Sequence, residues 1–118
     1  MSEHDRRVDY IELPGTDLVA TRAFYEAVFG WAFTDYGPHY TSFEDGRITG
    51  GFDATREVGP SNQGALIVLF ADDLEACQAA VVAQGGEVVQ AIFSFPGGRR
   101  FHFVDPSGNE LAVWSHDA

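Results

Sequence analysis

The feature that most constrains this chain is that it says the same thing twice. Its first half runs "VDYIEL" (Val8–Leu13), then "TDLVATRAFYEAVFG", then "WAFTDYG", "HYTSFED" and "RITGGF". The first stretch alternates β-branched, aromatic and polar residues and stops at Pro14-Gly15, which predicts a strand. The second changes period: Ala20, Phe24, Ala27 and Val28 recur at helical spacing, Thr16 or Asp17 can cap the first amides, and Gly30 can end the helix. The last three are short aromatic and β-branched runs separated by Gly37-Pro38 and Asp45-Gly46, which are hairpin signals. After the polar, turn-rich "DATREVGPSNQG" (Asp53–Gly64) the order repeats. "ALIVLF" predicts a buried strand. "DDLEACQAAVVAQGG" predicts a helix, with Asp72 and Glu75 in a capping-box-like arrangement and Gly85 at its end. "EVVQAIFSF", "RRFHFV" and "NELAVW" predict three more strands, divided by Pro96-Gly97-Gly98 and by Asp105-Pro106-Ser107-Gly108.

Each half therefore reads strand–helix–strand–strand–strand. A single half covers one face of its sheet with its helix and leaves the other face open. Two halves can close those open faces around a common cavity. The expected fold is α+β: two βαβββ modules, eight strands around a cavity and two main helices outside. At 118 residues, 45% hydrophobic and 14% aromatic, the chain reads as one globular domain over 1–118. Module one spans about 7–52, the linker 53–63 and module two about 64–116.

Charge and residue usage remove several function classes. Eighteen acidic residues against seven basic ones give a formal net charge of −11, a surface that repels phosphate backbones, so no nucleic-acid partner is expected. No apolar run approaches the roughly 18 residues a membrane span needs, and "MSEHDRRVDY" has no apolar signal core, so no membrane partner and a cytoplasmic protein are expected. All seven basic residues are arginines, which excludes a lysine Schiff base and a phosphate-loop lysine. Cys77 is the only cysteine, which excludes an internal disulfide and a cysteine-cluster metal site.

The doubled unit, with "DLVATRAFYEAVFGW" after the first strand and "FVDPSGNELAVW" at the end, resembles the vicinal-oxygen-chelate superfamily: the glyoxalase, bleomycin-resistance and extradiol-dioxygenase group. The resemblance covers essentially the whole chain. A homodimer is expected, from strands exposed at the module edges and from the family's habit of pairing modules within or between chains. In the family's enzymes the resemblance implies a divalent metal on His, Glu or Gln side chains from the first and last strands of each half, polarising a substrate's adjacent oxygens. Carried over residue by residue, those positions fall on or near Tyr10, on Leu66 with Ala65 beside it, on Ala112, and on "RITGGF", where Thr49 alone bears an oxygen. Leu66, Ala65 and Ala112 have no donor, so no metal or other cofactor is expected, with a divalent metal on non-standard ligands as the alternative.

The candidate ligand-binding residues are then Tyr10, Glu12, Tyr40, Phe52, His102, Glu110 and Trp114. Strand alternation places Glu12 with Val8 and Tyr10, opposite Ile11 and Leu13, which should face the helix. Glu12 is the best catalytic candidate, as a base or a counter-ion; the plainer reading pairs it with an arginine or with water. Glu110, Ala112 and Trp114 share one strand face, and Trp114 either stacks a ligand or plugs the core. His102, alone on an aromatic strand, is either a hydrogen-bonded structural residue or a ligand contact. Tyr36, Phe93 and Phe95 are further pocket aromatics. Arg99 and Arg100 either grip an anion or pair with carboxylates. His39 reads as a surface residue, His4 and His116 as solvated terminal ones, and Cys77 as packing. "DPSG" reads as a structural turn. Two function classes follow. One is a protein that sequesters an aromatic or cationic small molecule without transforming it. The other is a lyase, isomerase or dioxygenase-like enzyme with a non-standard site around Glu12.

Overall fold

The computed structural model describes residue 3 and residues 5–59 and 64–116. Its elements are β1 (Tyr10–Pro14), α1 (Leu18–Phe29), β2 (Ala32–Asp35), β3 (Tyr40–Glu44), β4 (Thr49–Asp53), β5 (Ile67–Phe70), α2 (Leu74–Ala83), β6 (Glu87–Phe95), β7 (Gly98–Val104) and β8 (Glu110–His116). They form two four-stranded sheets with the same order, β1-β4-β3-β2 and β5-β8-β7-β6. In each, the first strand pairs parallel with the last and the other pairings are antiparallel. The architecture is α+β with eight strands and two helices, as the repeat predicts.

Capping is settled by geometry. Asp17, not Thr16, opens α1: its carboxylate accepts from the Ala20 amide at 3.0 Å. Gly30, at φ 71°, closes it in the left-handed conformation that disfavours a Cβ. In α2 the cap is Asp73, accepting from the Ala76 amide at 3.0 Å. The expected Asp72–Glu75 box does not form, because the Glu75 carboxylate instead takes both Nη atoms of Arg99, at 2.6 and 3.2 Å. "ALIVLF" is also not buried throughout. Ile67 and Leu69 pack against the core, whereas Val68 and Phe70 are 41% and 47% exposed on the other face.

One core serves both halves. Phe24, Tyr25, Trp31, Phe43 and Phe52 from the first half join Leu74, Val81, Phe101, Phe103, Leu111 and Val113 from the second. Tyr25 stacks on Trp31 at 4.5 Å and Phe24 meets Phe103 at 5.7 Å. Such aromatic pairs contribute about 0.5–1.5 kcal/mol beyond the area they bury. Cys77 packs against this core as expected, and burial pushes its thiol up to about 11.

The "DPSG" turn is structural, and it also joins the modules. Asp105 Oδ1 accepts from the amides of Ser107 (2.9 Å) and Asn109 (3.0 Å), while the Tyr25 hydroxyl of α1 donates to Oδ2 at 2.8 Å. The Thr16 amide donates to Ser107 Oγ at 3.1 Å, and Asn109 Nδ2 donates to the Pro14 carbonyl at 2.7 Å. The second half thus grips the end of β1 and the start of α1. No helix among the described residues is long and apolar enough to cross a membrane.

Candidate functional site

Strand parity sorts each sheet into a helix-side face and an open face. In the first sheet, Ile11 and Leu13 lie on the helix side, as alternation predicts. Phe52 lies there too: it pairs in register with Leu13 and Thr41, is fully buried and stacks with Tyr25 at 5.4 Å. Phe52 is therefore core, and its place among the ligand-binding candidates is corrected. Tyr36 is 66% exposed.

The open face of the first sheet brings together Tyr10, Glu12 and Tyr40. The Tyr10 and Tyr40 hydroxyls are hydrogen-bonded to each other, and the Tyr40 hydroxyl also engages Glu12. Burial first, then Tyr10 and Glu12, pushes the Tyr40 phenol well above its ordinary range. A Cβ on Gly51 would collide with both tyrosine hydroxyls, so the glycine in "RITGGF" makes room for this cluster. Glu12 is not free. Arg56 Nη1 reaches its Oε2 at 3.5 Å and its carbonyl at 3.3 Å. Arg56 stands in the polar connection after β4, where no periodicity marks it, and sequence reading missed it.

The open face of the second sheet carries Glu110, His102 and Trp114, joined by Arg100, Phe93, Phe95 and Phe70. His102 is buried, and its Nδ1 lies 2.9 Å from Glu110 Oε2. The tautomer that donates to this carboxylate oxygen has its proton on Nδ1. His102 Nε2 and Arg100 Nε are both buried with no hydrogen-bond partner among the described residues. A buried polar atom left without any partner costs roughly 1–3 kcal/mol. Among the described residues Arg100 forms no ion pair with a carboxylate. Its guanidinium sits over the rings of Phe93 (5.4 Å) and Phe95 (5.6 Å), while Arg99 takes Glu75. Trp114 neither plugs the core nor stands alone. It meets Phe70 edge-on at 5.2 Å and His116 at 4.8 Å. His116 is exposed, as is His39; His4 lies outside the described residues.

Two clefts run along the seam where the modules meet. The larger, about 610 Å³, is walled by Ile11, Leu13, Ile67, Val68, Phe70 and Trp114, with Asp45 and Arg47 among its polar groups. The smaller, about 270 Å³, brings Arg56 of the first half and Glu110 of the second to one wall. Both are open clefts beside the sheets rather than a cavity enclosed by eight strands. The structure thus gathers Tyr10, Glu12 and Tyr40 in one cluster and His102 and Glu110 in another, and leaves Phe52 in neither.

The residues at the expected ligand positions do not fit a divalent metal. Ala112 is fully buried and bears no donor. Leu66 bears none, and the Tyr10 hydroxyl is engaged by Tyr40. Among the described residues no three His, Cys, Asp or Glu side chains gather as a metal would require.

A family model described as Glyoxalase/Bleomycin resistance protein/Dioxygenase superfamily matches residues 7–113. The anthracycline biosynthesis protein DnrV of Streptomyces peucetius is 34% identical over 124 residues, covering 89% of this chain and 45% of DnrV. The chain thus spans about half the length of that relative. Two solved structures share the fold. A glyoxalase/bleomycin resistance protein/dioxygenase family enzyme from Burkholderia phytofirmans PsJN gives a TM-score of 0.78 at 19% identity, covering 92% of this chain and 99% of that one. Lactoylglutathione lyase from Agrobacterium tumefaciens gives 0.71 at 24%, with 93% of each covered. With the family model matched over nearly the whole length and the doubled βαβββ architecture in place, the chain belongs to the Glyoxalase/Bleomycin resistance protein/Dioxygenase superfamily.

Proposed function

We propose that this chain binds a small aromatic molecule in the larger seam cleft and holds it without metal chemistry. The observation that carries this reading is the wall of that cleft: Trp114 and Phe70 stand beside Val68 and the branched chains of β1 and β5. A mostly apolar concavity with few polar groups is the usual form of a small-molecule site, and about 610 Å³ falls in the usual size range. Aromatic shape is favoured over positive charge as the selected property. Glu12 is already paired with Arg56 and Glu110 with His102, and Asp45 shares the cleft wall with Arg47. The name of DnrV, an anthracycline biosynthesis protein, is in keeping with an aromatic ligand. Because that relative is about twice as long, pairing of two copies of this chain into a homodimer is part of the proposal, with light scattering as its check.

A second reading, a lyase- or isomerase-type enzyme around Glu12, is favoured by the Tyr10–Tyr40–Glu12 cluster, which places a protonated phenol beside a carboxylate.

Fluorescence titration with neutral, cationic and anionic naphthalene derivatives tests the binding reading. Wild type is expected to bind all three within about threefold. Trp114→Ala should weaken each by about five- to tenfold, the loss of one stacking wall. Unchanged affinity in that variant would remove the cleft as the site. A tenfold preference for the cationic probe would restore charge as the selector. Recovery of a chemically altered probe that depends on Glu12 would favour the enzyme reading.

A further inference from the structure

The geometry points to a subsite for a phenolic or enolic hydroxyl between Arg100 and His102 on the open face of the second sheet. It rests on the aromatic-binding reading and specifies the polar group that the aromatic ligand carries. Arg100 and His102 are alternate residues of β7, so their side chains leave the same face, about 6.5–7 Å apart along the strand. Where the two side chains lean together so that their nitrogens come within about 6 Å, a single oxygen can lie about 3 Å from both. The two orphaned atoms differ in kind. Arg100 Nε always donates. His102 Nε2 has no partner among the described residues, and in the tautomer that hydrogen-bonds Glu110 through Nδ1, 2.9 Å away, it presents a lone pair. One donor and one acceptor on the same face of one strand match a group that both accepts and donates. A hydroxyl does so; an ether, a carbonyl or a carboxylate lacks the proton for Nε2.

The surroundings suit the ring behind that hydroxyl. Arg100 pairs in register with Trp114, whose indole lies 6.4 Å from Phe95 and also lines the larger cleft. An aromatic body held against Trp114 thus points its edge towards Arg100 and His102. The Phe93 ring lies 5.9 Å from the His102 ring, with the Arg100 guanidinium over it at 5.4 Å. Phe93 stands on a strand whose pairing with β7 is irregular between Val88 and Phe93. Glu110 is a positioning residue here: it fixes the tautomer and does not meet the ligand oxygen.

The test compares 2-naphthol with 2-methoxynaphthalene, which differ only in that proton and a methyl group. Wild type should bind the naphthol at least tenfold more tightly, since a hydroxyl-recognising site rejects analogues that leave its polar atoms unpaired. His102→Phe and Arg100→Met should each reduce the ratio below about threefold while changing methoxynaphthalene affinity by less than twofold. Should a variant fail to fold, the ¹⁵N resonance of His102 Nε2 in wild type gives the answer: it should move with 2-naphthol and not with the ether. Equal affinities in wild type, with Trp114→Ala weakening both, would overturn the subsite and leave aromatic binding standing. No binding of either compound at millimolar concentration would overturn both.

Discussion

Asp45 and Asp105 occupy the same turn of the two modules, and only the second is buried. Locally they do the same work. Asp45 Oδ1 accepts from the amides of Arg47 (2.8 Å) and Ile48 (2.6 Å), and Asp105 Oδ1 from those of Ser107 and Asn109. The difference is the second oxygen. Asp105 Oδ2 takes the hydroxyl of Tyr25, a fully buried residue on the helix of the other module. A turn signal legible from its own residues thus forms both turns. What makes one of them a joint between modules is a helix some eighty residues away.

Removing each carboxylate should expose that difference. Asp105→Ala leaves the Tyr25 hydroxyl and two amides of a buried turn without an acceptor, a loss of about 3 kcal/mol. Asp45→Ala frees amides that water can reach, and should cost roughly 0.5–1 kcal/mol, as an exposed cap does. Urea unfolding of both variants against wild type measures the pair. Equal losses would mean that the Tyr25 contact contributes nothing to stability. Next in size is Ser107→Ala. Its hydroxyl meets the Thr16 amide and the Thr21 hydroxyl across the module boundary. A loss of about 1–2 kcal/mol is expected, and a value near zero would confine the joint to Asp105.

The same contrast explains what the sequence made legible. The repeat, the helix termini near Asp17 and Gly30, and the facing of Tyr10 and Glu12 away from Ile11 and Leu13 follow from local period and turn chemistry. Phe52 does not. Its face depends on its register opposite Leu13 and Thr41, and two glycines before it erase the alternation that would have shown it. Arg56 was missed because it sits in a connection with no period at all. His102 and Glu110 were each identified, but their pairing needs the β7–β8 register, which sets Glu110 diagonally from His102. Local chemistry is written along the chain, whereas partnership between strands is not.

The smallest expected effect is one of sign. Burial raises the Asp105 carboxyl above its ordinary value of 3.8, against the opposing pull of the Tyr25 hydroxyl and the Asn109 and Ser107 amides. The folded protein therefore holds this proton at pH values where the unfolded chain has lost it. Stability from this group falls as pH rises from about 4 through the folded pKa and is flat above it. The exposed carboxylates behave in the opposite way. Asp35, lowered by Thr41 and then Arg22, Asp53, lowered by Thr55, and Glu75, lowered by Arg99, contribute stability that is lost as pH falls through their folded pKa values. Whole-protein acid unfolding mixes the two signs, so the informative quantity is a difference. Asp105→Asn keeps the shape of the turn and does not titrate. Between pH 7 and pH 4, wild type should gain stability relative to this variant, while both share whatever Asp35, Asp53 and Glu75 contribute. If wild type instead loses ground on acidification, the hydrogen bonds to Asp105 outweigh its burial. The turn would then owe its place in the joint to a stabilised charge rather than to a tolerated one.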